Sequence, residues 1–129
     1  MTTVAEIMAR DVLSVGSGAL LVEAAQRMQE RHVGSALVFE DEQLRGILTE
    51  RDLLRAVASG RIEGETVGDW MTLHPETIEP SDGTGYAGTL MIHGGFRHLP
   101  VLEGGRVVGI VSIRDLMRIT LDDQSPRGA

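Results

Sequence analysis

The sequence predicts a mixed α/β (α+β) fold in which one supersecondary unit is used twice. Three observations point there. First, Gly46-Ile47-Leu48-Thr49-Glu50-Arg51-Asp52-Leu53 recurs 63 residues later as Gly109-Ile110-Val111-Ser112-Ile113-Arg114-Asp115-Leu116. Second, the same offset carries Val4 onto Val67, Met8 onto Met71, Ala24 onto Ala87, Met28 onto Met91 and Val38 onto Val101, with no insertion between. Third, the apolar spacing in each copy alternates between helical and short strand-like runs, in the order helix–strand–helix–strand–strand–helix. Repeated units of this kind usually bury their faces against each other. A repeat also implies two equivalent sites.

The elements follow in chain order. Thr3 caps a short helix from Val4 to about Met8, with Glu6 reaching back to the cap. Val12 to Val15 is a short extended segment. Ser17 is placed to cap a helix whose apolar positions Leu20, Leu21, Ala24, Ala25 and Met28 have helical spacing, ending near His32 with Gly34 just beyond. Ser35–Phe39 and Leu44–Leu48 form a hairpin across the polar Glu40-Asp41-Glu42-Gln43. Thr49 starts a helix through Leu53, Leu54 and Val57 that Gly60 stops.

The second copy repeats this order: Val67–Met71, Thr77-Ile78, a helix near Asp82–His93, strands His98–Leu102 and Arg106–Val111, and a helix Ser112–Leu121. The boundaries are therefore residues 3–60 for repeat 1, a polar linker at 61–66, 67–121 for repeat 2, and a disordered tail at 122–129. One helix is out of character. Gly83, Gly85 and Gly88 stand where the first copy has Leu20, Val22 and Ala25. An interior Gly costs about 1 kcal/mol relative to Ala, so this helix is expected to be the weakest, frayed or shortened at its start.

Composition excludes several functions. The 129 residues can form one compact domain or two small halves, and 42% hydrophobic content suffices for a core. With no cysteine there is no disulfide framework and no thiolate metal site. The start shows no signal peptide and no stretch reaches membrane-span length, so a cytoplasmic location without membrane contact is expected. A net charge of −7 argues against nucleic acid as a partner, which needs clustered Lys and Arg. His32, His74, His93 and His98 lack metal-ligand spacing. There is no nucleophile elbow or phosphate-binding Gly-x-x-x-x-Gly-Lys run. Gly83-Thr84-Gly85-Tyr86-Ala87-Gly88 has dinucleotide-type glycine spacing, but no convincing strand precedes it. The sequence therefore reads as a non-enzyme.

The doubled element order, the closing Gly-Ile-[Leu/Val]-[Thr/Ser]-x-Arg-Asp cassettes, Val-x-x-x-Met at each start, Ala-x-x-x-Met in each first helix and Arg97-His98-Leu99-Pro100-Val101 together resemble a pair of cystathionine-β-synthase (CBS) domains, the Bateman module. The resemblance covers roughly residues 3 to 120. It implies a tandem CBS repeat, each copy a small β-sheet packed on two helices, the copies related by a pseudo-twofold axis. It also implies a stand-alone regulatory module that binds AMP, ADP, ATP or S-adenosylmethionine in clefts between the copies. Such a module has no obligatory cofactor, forms a homodimer and modulates a protein partner. The alternative is a protein-interaction or dimerisation module whose nucleotide sites are vestigial.

Thr49-x-x-Asp52 and Ser112-x-x-Asp115 lie at strand-to-helix junctions, which offer a hydroxyl, a carboxylate and unpaired helix N–H groups. A carboxylate there can accept two hydrogen bonds from a ribose diol. By position match the resemblance assigns Asp52 and Asp115 to ribose, and Thr49 and Ser112 to ribose or phosphate. Local sequence supports a second reading equally well, because the same spacing is a capping box. Arg51 and Arg114 follow both junctions. Arg97 and His98 are the phosphate candidates: Arg offers a planar fork matched to phosphate, and His98 adds charge only when protonated. Adjacent strand residues face opposite ways, so one of the two points toward a ligand. Gly34-Ser35 replaces this pair in the first copy, which predicts unequal sites, with the phosphate-bearing ligand at Asp115. Ser14-Val15 and Thr77-Ile78 are candidates to hold the base, with Val33, Ala36, Ile47 and Ile110 as walls.

Overall fold

The computed structural model describes residues 1–123. They form two compact units, Val12–Pro75 and a second made of Met1–Asp11 with the chain from Glu76 onward. These units are not the sequence repeats. Each joins the body of one repeat to the leading segment of the other.

In the Val12–Pro75 unit the elements are β1 (Ser14–Gly16), α2 (Leu21–Arg31), β2 (Ser35–Glu40), β3 (Gln43–Thr49), α3 (Glu50–Ala58), α4 (Val67–Trp70) and β4 (Thr72–Leu73). The sheet order is β1-β2-β3-β4, with β1 parallel to β2 and the other pairs antiparallel. Leu21, Ala24 and Met28 of α2 pack on Val15, Ala36, Val38 and Leu48 of the sheet, with Ala56 of α3 and with Val67 and Trp70 of α4. Full burial of such a side chain contributes about 1.5–3 kcal/mol.

The other unit contains α1 (Val4–Ile7), α5 (Thr84–Gly94), β5 (His98–Glu103), β6 (Arg106–Ser112) and α6 (Ile113–Asp123). Strands β5 and β6 form an antiparallel hairpin, Ile78 bridges Val101 in parallel, and Ala9 bridges Ile110 antiparallel. The core is Val4, Ile78, Ala87, Met91, Leu99, Val101 and Val111. Val4 is fully buried although it lies 74 positions ahead of Ile78 in the chain.

The two closing glycines explain themselves here. Ile47 pairs with Thr72 as Ile110 pairs with Ala9, so each hairpin receives an extra edge from the leading segment of the opposite repeat. A Cβ on Gly46 would stand 2.6 Å from the Thr72 carbonyl oxygen, and one on Gly109 would stand 2.8 Å from that of Ala9. Only glycine lets these backbones approach.

Several expectations change. Ser17 does not cap α2: its hydroxyl donates to Glu40 Oε2 at 2.5 Å, and Leu20 occupies the cap position without a side-chain bond. The first amide of α2 instead donates to the Glu65 carbonyl at 2.8 Å. The end of α2 is as expected: His32, at φ 54°, caps it in the left-handed conformation, with Gly34 just beyond. The Gly-rich helix α5 is not shortened. It starts at Thr84, the counterpart of Leu21, because Thr84 N–H donates to the Thr2 carbonyl at 3.0 Å. Gly83 lies outside it as the cap. Part of the expected linker, Glu65 and Thr66, lies within the Val12–Pro75 unit bonded to the start of α2. Strand β4 is an element the apolar pattern did not show. Asp122 and Asp123, expected in the tail, belong to α6; the remainder of the tail lies outside the described residues.

Candidate functional site

Each cassette ends its hairpin and opens a helix, so the hydroxyl-and-carboxylate pair sits at the joint. In the unit from Glu76 onward, Asp115 Oδ2 accepts from Ser112 N–H at 2.8 Å and from the Ser112 hydroxyl at 3.0 Å. The Asp115 N–H in turn donates to Ser112 Oγ at 3.2 Å. This is a complete capping box at the start of α6. It engages one carboxylate oxygen. Among the described residues Oδ1 accepts no hydrogen bond, and Asp115 is only half-buried.

Strand pairing brings the basic candidates to the same place. His98 lies directly opposite Ser112 in the register, and the Arg97 carbonyl accepts from Ile113 N–H at 2.8 Å. Arg97 is exposed and His98 half-buried, as alternation along an extended chain requires. Arg114 is exposed on the first turn of α6. Ser112, Arg114, Asp115, Arg97 and His98 therefore share one end of one hairpin. This end of the unit thus offers guanidinium donors and a carboxylate oxygen with remaining acceptor capacity.

The counterpart at α3 has the same box with a different outcome. Asp52 is 2% exposed. Its Oδ2 accepts from Thr49 N–H at 2.9 Å and the Thr49 hydroxyl at 3.2 Å. Its Oδ1 accepts from Arg55 Nη1 at 3.0 Å and from the Thr72 hydroxyl at 3.3 Å. Arg55 lies over the Trp70 ring at 5.5 Å, Arg61 lies 5.9 Å from the same ring, and Trp70 Nε1 donates to Glu65 at 3.0 Å. Gly34 and the buried Ser35 stand in place of Arg97 and His98, and Arg51 is exposed. Thr72 and Arg55 were not among the sequence candidates. The offset held a signal for the first, since Thr72 corresponds to Ala9, which has no hydroxyl.

The base-holding candidates are divided. Val15 and Ile78 point into the two cores, at 6% and 3% exposure, while Ser14 and Thr77 are exposed. Ile78 uses both backbone groups in the ladder, donating to Pro100 and accepting from Leu102. Ala36 and Ile47 are buried, Ile110 half-buried and Val33 exposed. A separate open cleft of about 490 Å³ runs along Thr77–Glu79, Asp82, Tyr86 and the Gly104-Gly105 turn, and does not include Asp115.

These features define a tandem α+β repeat with one strand-to-helix junction per unit. A family model for the CBS domain matches residues 4–59 and again residues 67–122, and the chain belongs to that family. An uncharacterised 17.7 kDa protein of Acidianus ambivalens is 37% identical over 94% of this chain and 74% of its own length. The CBS domain-containing protein YhcV of Bacillus subtilis is 33% identical over 100% of this chain and 93% of its own length. The chain spans 43% of an uncharacterised Methanocaldococcus jannaschii relative that is 33% identical. Among solved structures, a protein with CBS domains from Burkholderia ambifaria superposes with a TM-score of 0.93 at 34% identity, covering 99% of this chain and 100% of that one. CBSX2, solved in complex with AMP, superposes with a TM-score of 0.82 at 25% identity, covering 96% and 99%.

Proposed function

We propose that this chain is a regulatory module that binds an adenosyl ligand (AMP, ADP, ATP or S-adenosylmethionine) and passes its occupancy to a partner protein without catalysing a reaction. The observation that carries the reading is the Ser112–Asp115 junction, where a carboxylate oxygen with spare acceptor capacity stands at a helix start beside Arg97 and His98. Asp115 Oδ1 accepts from the ribose diol, and the Arg97 guanidinium takes the phosphate. The AMP bound by CBSX2 supports the ligand class. A ligand biases an equilibrium only by its differential affinity for two states, so the response resides in a homodimer contact or in a second protein.

A second reading is favoured by one observation. Asp52 is already satisfied by protein groups, as expected of a protein-interaction or dimerisation module whose nucleotide sites are vestigial. A thermal-shift panel separates the two. A ligand at a hundred times its Kd adds about 2.7 kcal/mol, several degrees for a chain of this size. A selective rise with one of AMP, ADP, ATP, S-adenosylmethionine or NAD, against GMP as control, supports the sensor. A flat panel rejects it in favour of the interaction module.

A further inference from the structure

We infer that the chain carries one working ligand junction, Ser112–Asp115, selective for a phosphorylated adenosyl ligand, and that the Thr49–Asp52 junction is a structural clasp. The inference rests on the binding reading above and sharpens it to a stoichiometry and a ligand class.

The sequence makes the two cassettes near-equivalent, and their surroundings separate them. Both carboxylates give one oxygen to their own capping box. The second oxygen of Asp52 is taken by Arg55 and Thr72, and the carboxylate is 2% exposed. A ribose diol there has to displace a charge-assisted bond and a hydroxyl that are already in place. Both partners are exposed at their outer side and are positioned by their neighbours. Thr72 is fixed on β4 in register with Ile47, and Arg55 is stacked on Trp70, which Glu65 anchors through its indole nitrogen. The clasp ties the start of α3 to the α4–β4 segment.

None of this is reproduced 63 residues away. Ala9 stands at the Thr72 position and Ile7 at that of Trp70. Arg118 stands at the Arg55 position, exposed and making no ion pair with Asp115 among the described residues. Asp115 therefore keeps an oxygen for a ligand. The anion-binding side differs in the same direction. Arg97 and His98 flank the Asp115 junction, while Gly34 and a buried Ser35 flank that of Asp52. The junction with the spare acceptor is also the one with the Arg97 guanidinium, just ahead of β5, so phosphate and ribose recognition coincide in one unit.

Calorimetric titration of the full chain with AMP tests this, with adenosine as the phosphate-free comparison. The expected result is one AMP per chain. Asp115→Asn weakens AMP at least tenfold. Arg97→Ala weakens AMP at least tenfold and changes adenosine affinity less than twofold. Thr72→Ala leaves AMP affinity within twofold while lowering the melting temperature. Two AMP per chain, or a tenfold loss of affinity in Thr72→Ala, overturns the single-site assignment and leaves the adenosyl-binding reading standing. No saturable AMP binding to the unaltered chain overturns both. Asp52→Asn supplies a second check: unchanged affinity with a lower melting temperature supports the clasp, and lost affinity overturns it. If that variant does not fold, Thr72→Ala carries the decision alone.

Discussion

Replacing Gly109 by alanine tests whether the leading segment of the chain truly lies against the second hairpin. The new Cβ would stand 2.7 Å from Met8 Sδ and 2.8 Å from the Ala9 carbonyl oxygen. The thioether is flexible and can swing away. The carbonyl cannot, because Ile110 N–H donates to it at 2.9 Å and Ala9 N–H returns a bond to Ile110 at 2.8 Å. Retreat by the few tenths of an ångström required stretches both bonds, each worth about 0.5–1.5 kcal/mol net. Holding position costs a similar amount as overpacking, about 1–3 kcal/mol. The reduced freedom of the unfolded chain returns about 0.4–1 kcal/mol. The net loss expected is about 0.5–2.5 kcal/mol, a fall in Tm of roughly 2–12 °C. Thermal melts followed by circular dichroism measure it. An unchanged or higher Tm would refute the close approach, and with it the placement of Met1–Asp11 in that unit.

Gly46→Ala is expected to lose a similar amount, since its Cβ meets the Thr72 carbonyl oxygen at 2.6 Å. Gly85→Ala is the opposite case: nothing lies within 4 Å of a Cβ there, so replacing this first-turn glycine of α5 is expected to raise stability by up to about 1 kcal/mol in chemical denaturation. Val4→Ala deletes two buried methyl groups, about 0.8 kcal/mol each before any cavity cost. Its faster amide exchange is expected in α5 and β5, 84–103, rather than in α2 and β2, although Val4 precedes α2 in the chain. The Glu40 carboxyl is held below the usual carboxylate range chiefly by the Ser17 hydroxyl and then by Arg45. A depressed folded-state pKa gives stability that is full above the unfolded value, about 4.5, and lost as pH falls through the folded one. Glu40→Gln is therefore expected to flatten the acid side of the stability profile, and an unaltered profile would count against the Ser17 bond.

The repeat, its register and most of its elements were legible because they are written in local chemistry. Apolar spacing marks the helices facing a core, and the Thr3, Thr49 and Ser112 boxes need only a residue three positions on. The grouping of Arg97 and His98 with Ser112 follows from hairpin register, which is also local. By contrast, the start of α2 misled the cap reading, because the bond that satisfies Leu21 N–H comes from Glu65. The length of α5 was misjudged for the same reason. Its glycines weaken it locally, and Thr2 supplies a tertiary partner that fixes where it starts.

The sequence by itself determined that the chain is a doubled α+β unit with two hydroxyl-and-carboxylate junctions, since a shared pattern of core and cap residues can produce only a shared local fold. Tertiary structure decided which leading segment completes which unit, because edge pairing joins residues as far apart as Ala9 and Ile110. It also decided that the two junctions differ: Asp52 and Asp115 are the same residue in the same motif, and they part only because a threonine hydroxyl and a stacked arginine reach one carboxylate and not the other.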